Sequence, residues 1–429
     1  MKLNRTLQPA IRPMQGFSLP VPERLVMPNG SRLTVVDGGD QEVFRLDILV
    51  HGGKWRQNMP LQASFTNRML NEGTAGLTSE QIFDLLDRYG AWMVQETSVN
   101  FSVITLFSLN KYAKETLDVV EKILREPTFP QSEFQIMVDN ARQQFQVNSK
   151  KVDTKARSTL NKVLLGDEHP CARYAQLDDY SRIQTYNLVE FYNRYFHSRN
   201  VSIYLSGKVN GPIRKMVEKR FGEREWGQDS ALVPLVPIPP VTQTDKRYFE
   251  EVPDSVQSAV CMGTVTIPLS HPDYDLLQVV ETVFGGYFGS RLMSNIREDK
   301  GYTYGIASGL IPLPFESVKI VISQCAHEYV NPLVDEVFVE MQRLHDEEIP
   351  LDELEMVQNY MLGELSRRYE NILSLSDAFI YSETTGLKDD FMTRRTSAIR
   401  NITPERAAEM VSKYFDPDKM KVVVVGKKL

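Results

Sequence analysis

Three polar residues in the first half of the chain stand at the spacing of a helical metal site. Asn67 and Arg68 follow Ser64 by three and four residues, so in a helix all three share one face. Two histidines and a carboxylate at this spacing can hold a zinc ion and activate a water on it. Serine offers only a neutral hydroxyl, asparagine cannot take a proton from such a water, and arginine is a permanent cation without a lone pair. The sequence therefore predicts that this helix binds no metal.

The other groups that could do chemistry have simpler structural interpretations. His169, between two acids and a proline, is expected to stabilise a turn rather than to bind a metal. Gly285, Gly286 and Gly289 look superficially like a phosphate-binding loop, but no Lys-Ser/Thr follows them, which favours a helix-ending turn. The acidic run at 346–348 is expected at a solvated helix start. No Ser/His/Asp or Cys/His arrangement stands out as a nucleophilic site.

Composition and charge exclude several classes of protein. The chain has 429 residues, of which 42% are apolar and 24% are charged, and its formal net charge is −7. This composition is typical of a soluble globular protein, and the excess of acids argues against nucleic acid as a main partner. No apolar run approaches a membrane span, and residues 1–20 lack the apolar core of a signal peptide.

The cysteines fit neither a disulfide framework nor a zinc site. Cys171, Cys261 and Cys325 are three in number and widely spaced. Free thiols are typical of a reducing compartment. We therefore expect a cytoplasmic protein that does not bind a membrane.

A proline-rich stretch divides the chain almost in half. Residues 231–246 (ALVPLVPIPPVTQTDK) contain four prolines, which exclude a helix or a central strand. A PxxP ligand for a recognition domain is the less favoured interpretation, and an extended, semi-rigid linker is the favoured one. Because a chain of this length is expected to form two domains, we assign residues 1–230 to the first and 247–429 to the second.

The two halves look like copies of each other. A Tyr-Phe pair at 195–196 precedes a β-rich run that ends in Gly-Lys at 207–208, and the same order recurs at 414–415 and 426–427. Both pairs of dipeptides are 219 residues apart. Their place at the end of each half makes duplication the better explanation.

Strand and helix signals alternate within each half. Residues 44–50 are β-rich, and residues 134–147 have apolar positions at helical spacing. Residues 78–89 have clear start and end signals for a helix: Thr78 and Gln81 can form a capping box, and a glycine follows the end. We expect α+β domains, each with an antiparallel sheet that helices cover on one face.

Three motifs, taken in order, resemble the M16 metallopeptidase family, which includes mitochondrial processing peptidase and insulin-degrading enzyme. Residues 61–91 resemble the metal helix of that family, its Gly-Thr and the helix that follows. Residues 166–170 (GDEHP) match a recurrent Gly-x-x-His-Pro stretch, and residues 284–305 (FGGYFGSRLMSNIREDKGYTYG) match the most recognisable run of the second domain. The similarity spans nearly the whole chain. It implies two homologous LuxS/metallohydrolase-like domains joined by the linker.

The resemblance also implies a zinc site that this chain has lost. In the family, an HxxEH helix supplies two histidine ligands and a glutamate base, and another glutamate downstream completes the ligands. Ser64, Asn67 and Arg68 occupy the HxxEH positions here. Residues 132–144, where that ligand is expected, offer only Glu133 and Asp139 as acids, and neither is identified as the missing ligand. We therefore expect no cofactor on this chain and zinc in a partner chain.

The resemblance implies a substrate-holding role for an arginine and a tyrosine of the second half. Arg297 and Tyr304 match the pair that holds the substrate near the scissile bond in active relatives. A guanidinium can donate to a peptide carbonyl, and a phenol can donate to a developing oxyanion. Without the resemblance, Arg297 is a solvated charge at a helix end and Tyr304 is a half-buried strand residue. The glycine-rich loop before them matches one that guides substrate in some relatives, and residues 92–96 match the edge strand that an extended peptide joins.

Three functions stay in competition. The favoured one is a non-zinc subunit that pairs with an HxxEH-bearing chain in a heterodimer, closes a peptide-degrading or processing chamber and contributes Arg297 and Tyr304. The alternative is a non-catalytic scaffold or peptide-binding pseudoenzyme that acts as a homodimer. A self-sufficient peptidase with another nucleophile ranks last.

Overall fold

The first half of the molecule is built on a six-stranded sheet. The computed structural model describes residue 6 and residues 21–228, 234–388 and 390–428. Within these ranges the strands of the first sheet are β1 (Glu23–Val26), β2 (Arg32–Asp37), β3 (Val43–Val50), β4 (Trp92–Thr97), β5 (Ser102–Leu109) and β6 (Val201–Gly207). They lie in the order β1-β2-β6-β3-β5-β4, which leaves β1 and β4 at the edges.

The helices of the first half include both that the sequence predicts, at 78–89 and at 134–147. They are α1 (Gln62–Met69), α2 (Ser79–Arg88), α3 (Ala113–Arg125), α4 (Gln131–Asn148), α5 (Val152–Leu165), α6 (Asp179–Arg182), α7 (Thr185–Tyr195) and α8 (Gly211–Val217). The capping box of α2 is present: the Thr78 hydroxyl accepts from the N–H of Gln81, and the Gln81 side chain accepts from the N–H of Thr78. Apolar side chains of these helices and of the strands form one buried core, with Leu46, Ile48 and Leu106 fully enclosed.

The second half is built on a five-stranded sheet with its own helical layer. Its strands, among the described residues, are β7 (Arg247–Glu251), β8 (Ser258–Thr266), β9 (Thr303–Pro312), β10 (Ser317–Cys325) and β11 (Lys421–Gly426), in the order β7-β11-β8-β10-β9. Its helices are α9 (Tyr274–Glu281), α10 (Val330–Asp346), α11 (Leu351–Arg368), α12 (Ile372–Thr385), α13 (Phe391–Asn401) and α14 (Pro404–Tyr414). Two π-helical segments, Thr282–Gly286 and Met293–Asp299, lie between α9 and β9.

The two halves share one arrangement, as the repeated Tyr-Phe pair predicts. α7 ends at Tyr195 and α14 at Tyr414, and each is followed by a fully buried phenylalanine, Phe196 or Phe415. The next strand takes the same place in its sheet: β6 lies between β2 and β3, and β11 lies between β7 and β8. The duplication seen in the sequence is therefore a duplication of the fold.

Each sheet contains one parallel pair of strands, which the expectation of antiparallel sheets did not include. β2 pairs with β6 and β7 with β11 in parallel register, whereas the other pairs are antiparallel. Parallel neighbours need a long connection. Here the connection spans most of each half, so no turn signal in the sequence could predict the parallel pairing.

Each sheet is covered on its second face by a helix of the other half. α5 packs on β8 and β11 of the second sheet, with Leu160 and Leu164 in the shared core. α12 packs on β2 and β6 of the first sheet, with Leu375 and Phe379 in the shared core. Helices therefore lie on both faces of each sheet, not on one face as the sequence suggested. The exchange of α5 and α12 interlocks the halves.

The linker is extended and runs along the end of α5. Of residues 231–246 the structure describes 234–246, which form neither helix nor strand. The N–H of Val241 donates to the carbonyl of Leu165 at 3.0 Å, and the N–H of Gln243 donates to that of Val163 at 2.8 Å. These bonds hold the linker against the helix that crosses to the second half.

The three cysteines are free thiols, as expected. Cys261 and Cys325 are buried, and Cys171 is partly buried. Burial raises the pKa of Cys171 and Cys261 to about 12 and that of Cys325 to about 11, so all three are protonated and unreactive at neutral pH.

No helix among the described residues combines the length and the apolar character that crossing a bilayer requires.

Candidate functional site

Asn67 ties the helix at the expected metal position to the edge of the first sheet. α1 packs between α7 and the strands β4 and β5. Asn67 is fully buried, and its side-chain Nδ2 donates to the carbonyl oxygens of Glu96 at 2.8 Å and Val103 at 3.1 Å. Both amide hydrogens are therefore used on strand backbone. Asn67 joins helix to sheet and has no basic group for catalysis.

Neither of the other two expected metal positions offers a metal ligand. The Ser64 hydroxyl donates to the carbonyl of Leu61 at 3.0 Å, within the first turn of α1. Arg68 is exposed, and over the described ranges it makes no ion pair. Leu61 itself adopts a left-handed conformation with φ of 73°, which is strained for a residue with a β-carbon. Neither Ser64 nor Arg68 supplies a donor atom for a cation.

The acids of α4 do not complete a metal site. Glu133 accepts from the Ser132 hydroxyl at 3.4 Å and Asp139 from the Gln135 amide at 3.1 Å, both within α4. In the described part of the chain, no three His, Cys, Asp or Glu side chains are grouped so that they could hold a metal ion. The residues at this place do not fit zinc.

Strand β4 presents a free edge beside α1. Among the described residues it pairs with β5 only and ends the first sheet, which is the place expected for residues 92–96. Trp92 stacks on Phe107 of β5 at a centroid distance of 4.7 Å and stays exposed. An edge of this kind offers unpaired backbone N–H and C=O groups to an extended peptide.

Arg297 lies in the second π-helical segment and is half-buried. Its Nη1 is 2.5 Å from Oε1 of Glu298, and its guanidinium carbon lies 4.7 Å from the centre of the Phe288 ring. The segment packs against β9, and the N–H of Tyr302 donates to the carbonyl of Ile296 at 3.0 Å. Arg297 is therefore held on the element next to the strand that carries Tyr304.

Tyr304 stands almost fully in solvent at the start of the edge strand β9. Its side chain is 93% exposed, and its hydroxyl has no hydrogen-bond partner among the residues described. It lines a cavity of about 450 Å³ to which Asp153 and Arg157 of α5 also contribute. This cavity is therefore built by both halves of the chain. No hydrogen bond or cation–π contact within the described ranges joins Tyr304 to Arg297.

Close packing accounts for two of the three glycines in the candidate loop. The segment Thr282–Gly286 ends at Gly286, as a helix-ending turn predicts. A β-carbon at Gly285 would lie 2.5 Å from that of Ser308, and one at Gly289 would lie 2.9 Å from the ring of Tyr287. Gly285 thus lets the turn approach β9, and Gly289 lets the chain fold over Tyr287.

The second half carries a buried ion pair where the first half carries Asn67. α9 lies between β8 and β9 along the chain, as α1 lies between β3 and β4. Its last residue, Glu281, is 3.2 Å from Nζ of Lys319 in β10 and accepts a hydrogen bond from Ser308 in β9. Both charged groups are almost fully buried, and Nζ lies over the ring of Phe415. Burial lowers the pKa of Lys319 to about 8, although Glu281 favours its charged form.

Sequence reasoning missed a serine, a histidine and a glutamate that meet at the seam between the halves. The Ser202 hydroxyl is 3.3 Å from Nε2 of His51 and hydrogen-bonds the carboxylate of Glu383 on α12. Arg32 is 2.9 Å from the same Nε2, and because a guanidinium only donates, Nε2 must accept. Burial, and then the charge of Arg32, lower the pKa of His51 to about 4.

This cluster holds α12 against the first sheet, and its serine is not set up as a nucleophile. Ser202 is buried, and the His51 nitrogen that faces it already accepts from Arg32. The histidine therefore cannot take the serine proton as a base does in a hydrolase. Its members lie far apart along the chain, so no local pattern could have revealed them.

His169 stabilises a turn and also bridges the halves. Its Nδ1 accepts from the N–H of Cys171 at 3.2 Å, which is the turn role that the sequence favoured. Its Nε2 lies 3.1 Å from Oε1 of Glu316, in the connection between β9 and β10. Both ring nitrogens thus serve structural contacts.

Two family models match the chain. Residues 45–169 match the model described as Insulinase (Peptidase family M16), and residues 182–361 match the model described as Peptidase M16 inactive domain. The two matched ranges together span more than two thirds of the chain.

Similar sequences carry contrasting names. The chain is 23% identical over 293 residues to a Bacillus subtilis protein named uncharacterized zinc protease YmxG, an alignment that covers 67% of this chain and 69% of that protein. It is 24% identical over 247 residues to a Helicobacter pylori protein named non-peptidase homolog YmxG, which covers 56% of this chain and 55% of that protein.

Solved structures share the fold over almost the whole length. A peptidase M16 inactive domain from Pseudomonas fluorescens has a TM-score of 0.85 and 22% identity, with 95% of this chain and 98% of that one covered. A protease from Helicobacter pylori has a TM-score of 0.85 and 15% identity, with 95% of this chain and 100% of that one covered. The chain belongs to the M16 peptidase family.

Proposed function

We propose that this chain is the non-zinc subunit of a two-chain M16 peptidase. A partner chain with an intact HxxEH helix carries the zinc-dependent step, and this chain closes the chamber around an extended peptide. Arg297 and Tyr304 hold the peptide near the bond that is cut. The complex works in the cytoplasm, where the free thiols of this chain stay reduced.

The contrast between the two candidate regions carries the proposal. On α1, Asn67 is committed to packing, and no neighbouring group replaces the missing ligands among the residues described. On β9, Tyr304 exposes its ring and leaves its hydroxyl free of any partner in the described ranges. A tyrosine that only packs is expected to bury its ring. The exposed phenol therefore supports a role in contact with a ligand.

The chemistry of the pair suits an amide substrate. Arg297 uses one nitrogen on Glu298, and a guanidinium has further N–H groups for a peptide carbonyl. The Tyr304 hydroxyl can donate to the oxyanion that forms during attack. Loss of one such donor in a hydrolase lowers kcat by about 10²-fold to 10³-fold.

The test is co-purification followed by single substitutions. The chain is isolated with its natural partner, and the zinc content of each separated chain is measured. We expect about one zinc per complex, all of it in the partner. Cleavage of a quenched fluorescent peptide by the complex should fall about 10²-fold in kcat for Tyr304→Phe, while the native mass of the complex stays unchanged.

Matched controls lie on exposed positions of the first half. Tyr186→Phe and Arg182→Ala change residues of the same types whose side chains are also well exposed. Their turnover should equal that of the unchanged complex. Equal turnover for Tyr304→Phe and Tyr186→Phe would eliminate a role for Tyr304. Stoichiometric zinc in the singly expressed chain would overturn the proposal itself.

A second candidate is a non-catalytic, peptide-binding homodimer. The names of two relatives favour it: one protein is named a non-peptidase homolog, and one solved structure is named an inactive domain. The native mass of the complex isolated from its source separates the two candidates. A dimer of this chain alone, with no HxxEH-bearing subunit, supports the second one.

A further inference from the structure

We propose that strand β7 pairs, through its free edge, with β7 of a second copy of this chain. The two strands run antiparallel about a two-fold axis and join the second sheets of both copies into one continuous sheet. The inference goes beyond the proposed function, because it concerns how copies of this chain associate and not how a peptide is held. The second copy takes a place in the fold that the first half fills with a strand of its own.

The first half covers this sheet edge, and the second half leaves it open. β7 corresponds to β2, since each is the parallel neighbour of the strand that follows the Tyr-Phe pair, β11 or β6. β2 is also paired on its outer side, by the antiparallel strand β1. In the described part of the second half no strand takes the place of β1, and β7 pairs with β11 only. The outer backbone groups of β7 therefore have no strand partner there, and such an edge is a template for another strand.

The charges of β7 complement those of an antiparallel copy. The strand reads Arg247-Tyr248-Phe249-Glu250-Glu251, with a base at its start and acids at its end. When two copies pair with Phe249 opposite Phe249, Arg247 of each copy faces Glu251 of the other. Opposite charges and paired aromatic rings are both favourable across antiparallel strands. Full-length antiparallel copies of the other edge strands, β1, β4 and β9, place no acid opposite a base.

The side chains that this pairing uses are accessible. Arg247, Phe249 and Glu251 alternate along the strand, so they lie on one face of the sheet. Phe249 is 49% exposed, and the Arg247 side chain is 58% exposed. Arg247 lies 3.6 Å from Asp335 of α10, but both side chains are well exposed and such a pair contributes little. Glu251 is exposed and makes no ion pair within the described ranges. A second copy can therefore compete for both charges.

The pairing leaves the candidate site free. β7 and β9 are opposite edges of the second sheet, and Tyr304 lies on β9. Two copies can therefore associate through β7 while each copy still meets a zinc-bearing chain. In a two-fold dimer each contact occurs twice, so one substitution changes both Arg247–Glu251 pairs.

The test is sedimentation velocity of the singly expressed chain over a range of concentrations at low salt. We expect a reversible equilibrium between monomer and dimer. Arg247→Glu and Glu251→Arg each turn both attractive pairs into repulsive ones, so each should raise the dissociation constant of the dimer at least about 10-fold. The double variant, Arg247→Glu with Glu251→Arg, restores opposite charges and should dimerise like the natural chain. High salt should reduce the differences between the variants.

An equimolar mixture of the two single variants gives the sharpest result. In a mixed dimer every Arg247–Glu251 position again joins opposite charges, so the mixture should dimerise at concentrations where each variant alone is monomeric. Recovery in the mixture and in the double variant excludes misfolding as the cause of the loss. The controls are Arg182→Glu and Glu190→Arg, two exposed positions of the first half. They should leave the dissociation constant unchanged.

Three results would overturn the inference. The first is a chain that stays monomeric at every concentration. The second is a dimer with the same dissociation constant in all variants, which would use another surface. The third is a loss of binding to the HxxEH-bearing chain, without a loss of self-association, in the single variants; the edge would then belong to that partner. Because the measurement needs neither zinc nor cleavage, the proposed function is tested separately.

Discussion

Asn67 packs α1 against the sheet at a position where the family resemblance implies a catalytic glutamate. Its side-chain amide donates hydrogen bonds to the carbonyl oxygens of Glu96 and Val103. A side chain with no charge and two donors suits a site walled by strand carbonyls. The glutamate that the family resemblance implies for this position could donate neither hydrogen.

Replacing Asn67 with Asp therefore tests the new role. The variant leaves a carboxylate facing two carbonyl oxygens in a fully buried site, and we expect a loss of about 2–4 kcal/mol in the free energy of unfolding at pH 7. Such a site favours the protonated carboxyl, so stability should fall as pH rises and the loss should be smaller at pH 4. Urea denaturation at both pH values measures it. Ser64→Ala, which removes one bond within the helix, is the control with a loss under about 1 kcal/mol.

The buried ion pair of Glu281 and Lys319 should couple the effects of the two residues on stability. Lys319→Met leaves a buried carboxylate without its cation, which should cost about 3–5 kcal/mol, whereas Glu281→Leu combined with Lys319→Met should cost less than either single change. A double-mutant cycle by urea denaturation gives these values. A double variant as unstable as the sum of the single ones would contradict coupling between the two groups.

The depressed pKa of Lys319 adds a pH dependence to this pair. Between about pH 8 and the unfolded value near 10.4, the unfolded chain binds a proton that the folded chain has released. The contribution of Lys319 to stability therefore rises with pH over this range. The difference in unfolding free energy between the natural chain and Lys319→Met should grow from pH 7.5 to 9.5.

Residue types alone predict that Ser64, Asn67 and Arg68 bind no metal, and this stays a prediction. They were not enough to find what the residues do instead, because the partners of Asn67 depend on the register of β4 and β5. The cluster of Ser202, His51 and Glu383 lay beyond sequence reasoning for the same reason. A side chain's chemistry is local, whereas its partners are set by tertiary structure.

At the scale of elements, α12 is fastened to the first sheet by Glu383. Its carboxylate accepts from Arg32 at 3.1 Å, from Tyr204 at 2.6 Å and from Ser202. Glu383→Ala should lower the free energy of unfolding by about 2–4 kcal/mol, because charged hydrogen bonds at a largely buried site are lost. Amide exchange in α12 should become faster.

The control for this variant is an acid with only local partners. Glu364 on α11 pairs with Arg367 three residues away and is partly exposed. Glu364→Ala should change the free energy of unfolding little and leave the exchange of α12 unchanged. Unchanged exchange in Glu383→Ala would mean that apolar packing alone holds the helix.

Elements with local signals were predicted well, and the pairings between distant elements were not. The capping box placed the start of α2 correctly, and the apolar spacing of residues 134–147 found most of α4. The parallel pairs and the crossing of α5 and α12 have no local signature. They join segments far apart in the chain, so their stabilising contacts appear only in the folded molecule.

At the scale of the molecule, two similar halves exchange a helix each. α5 and α12 bury apolar faces on the sheet of the opposite half, and polar contacts reinforce the seam. Asp377 of α12 accepts from Arg45 of β3 at 2.7 Å, and His169 meets Glu316 at 3.1 Å. The boundaries assigned at 230 and 247 divide the sequence, but packing crosses them in both directions. The halves are therefore expected to unfold in one transition.

Cutting the linker tests this interlock directly. A protease site replaces residues 237–240, which are in the extended part of the linker outside both sheets. After cleavage, the two fragments should elute as one species of unchanged mass in size-exclusion chromatography, because α5 and α12 each need the other half to cover their apolar faces. Cleaved protein in 6 M urea is the control, since there the fragments should separate. Separation of folded fragments in native buffer would show that the linker holds together two independent domains, and that the exchanged helices contribute little to cohesion.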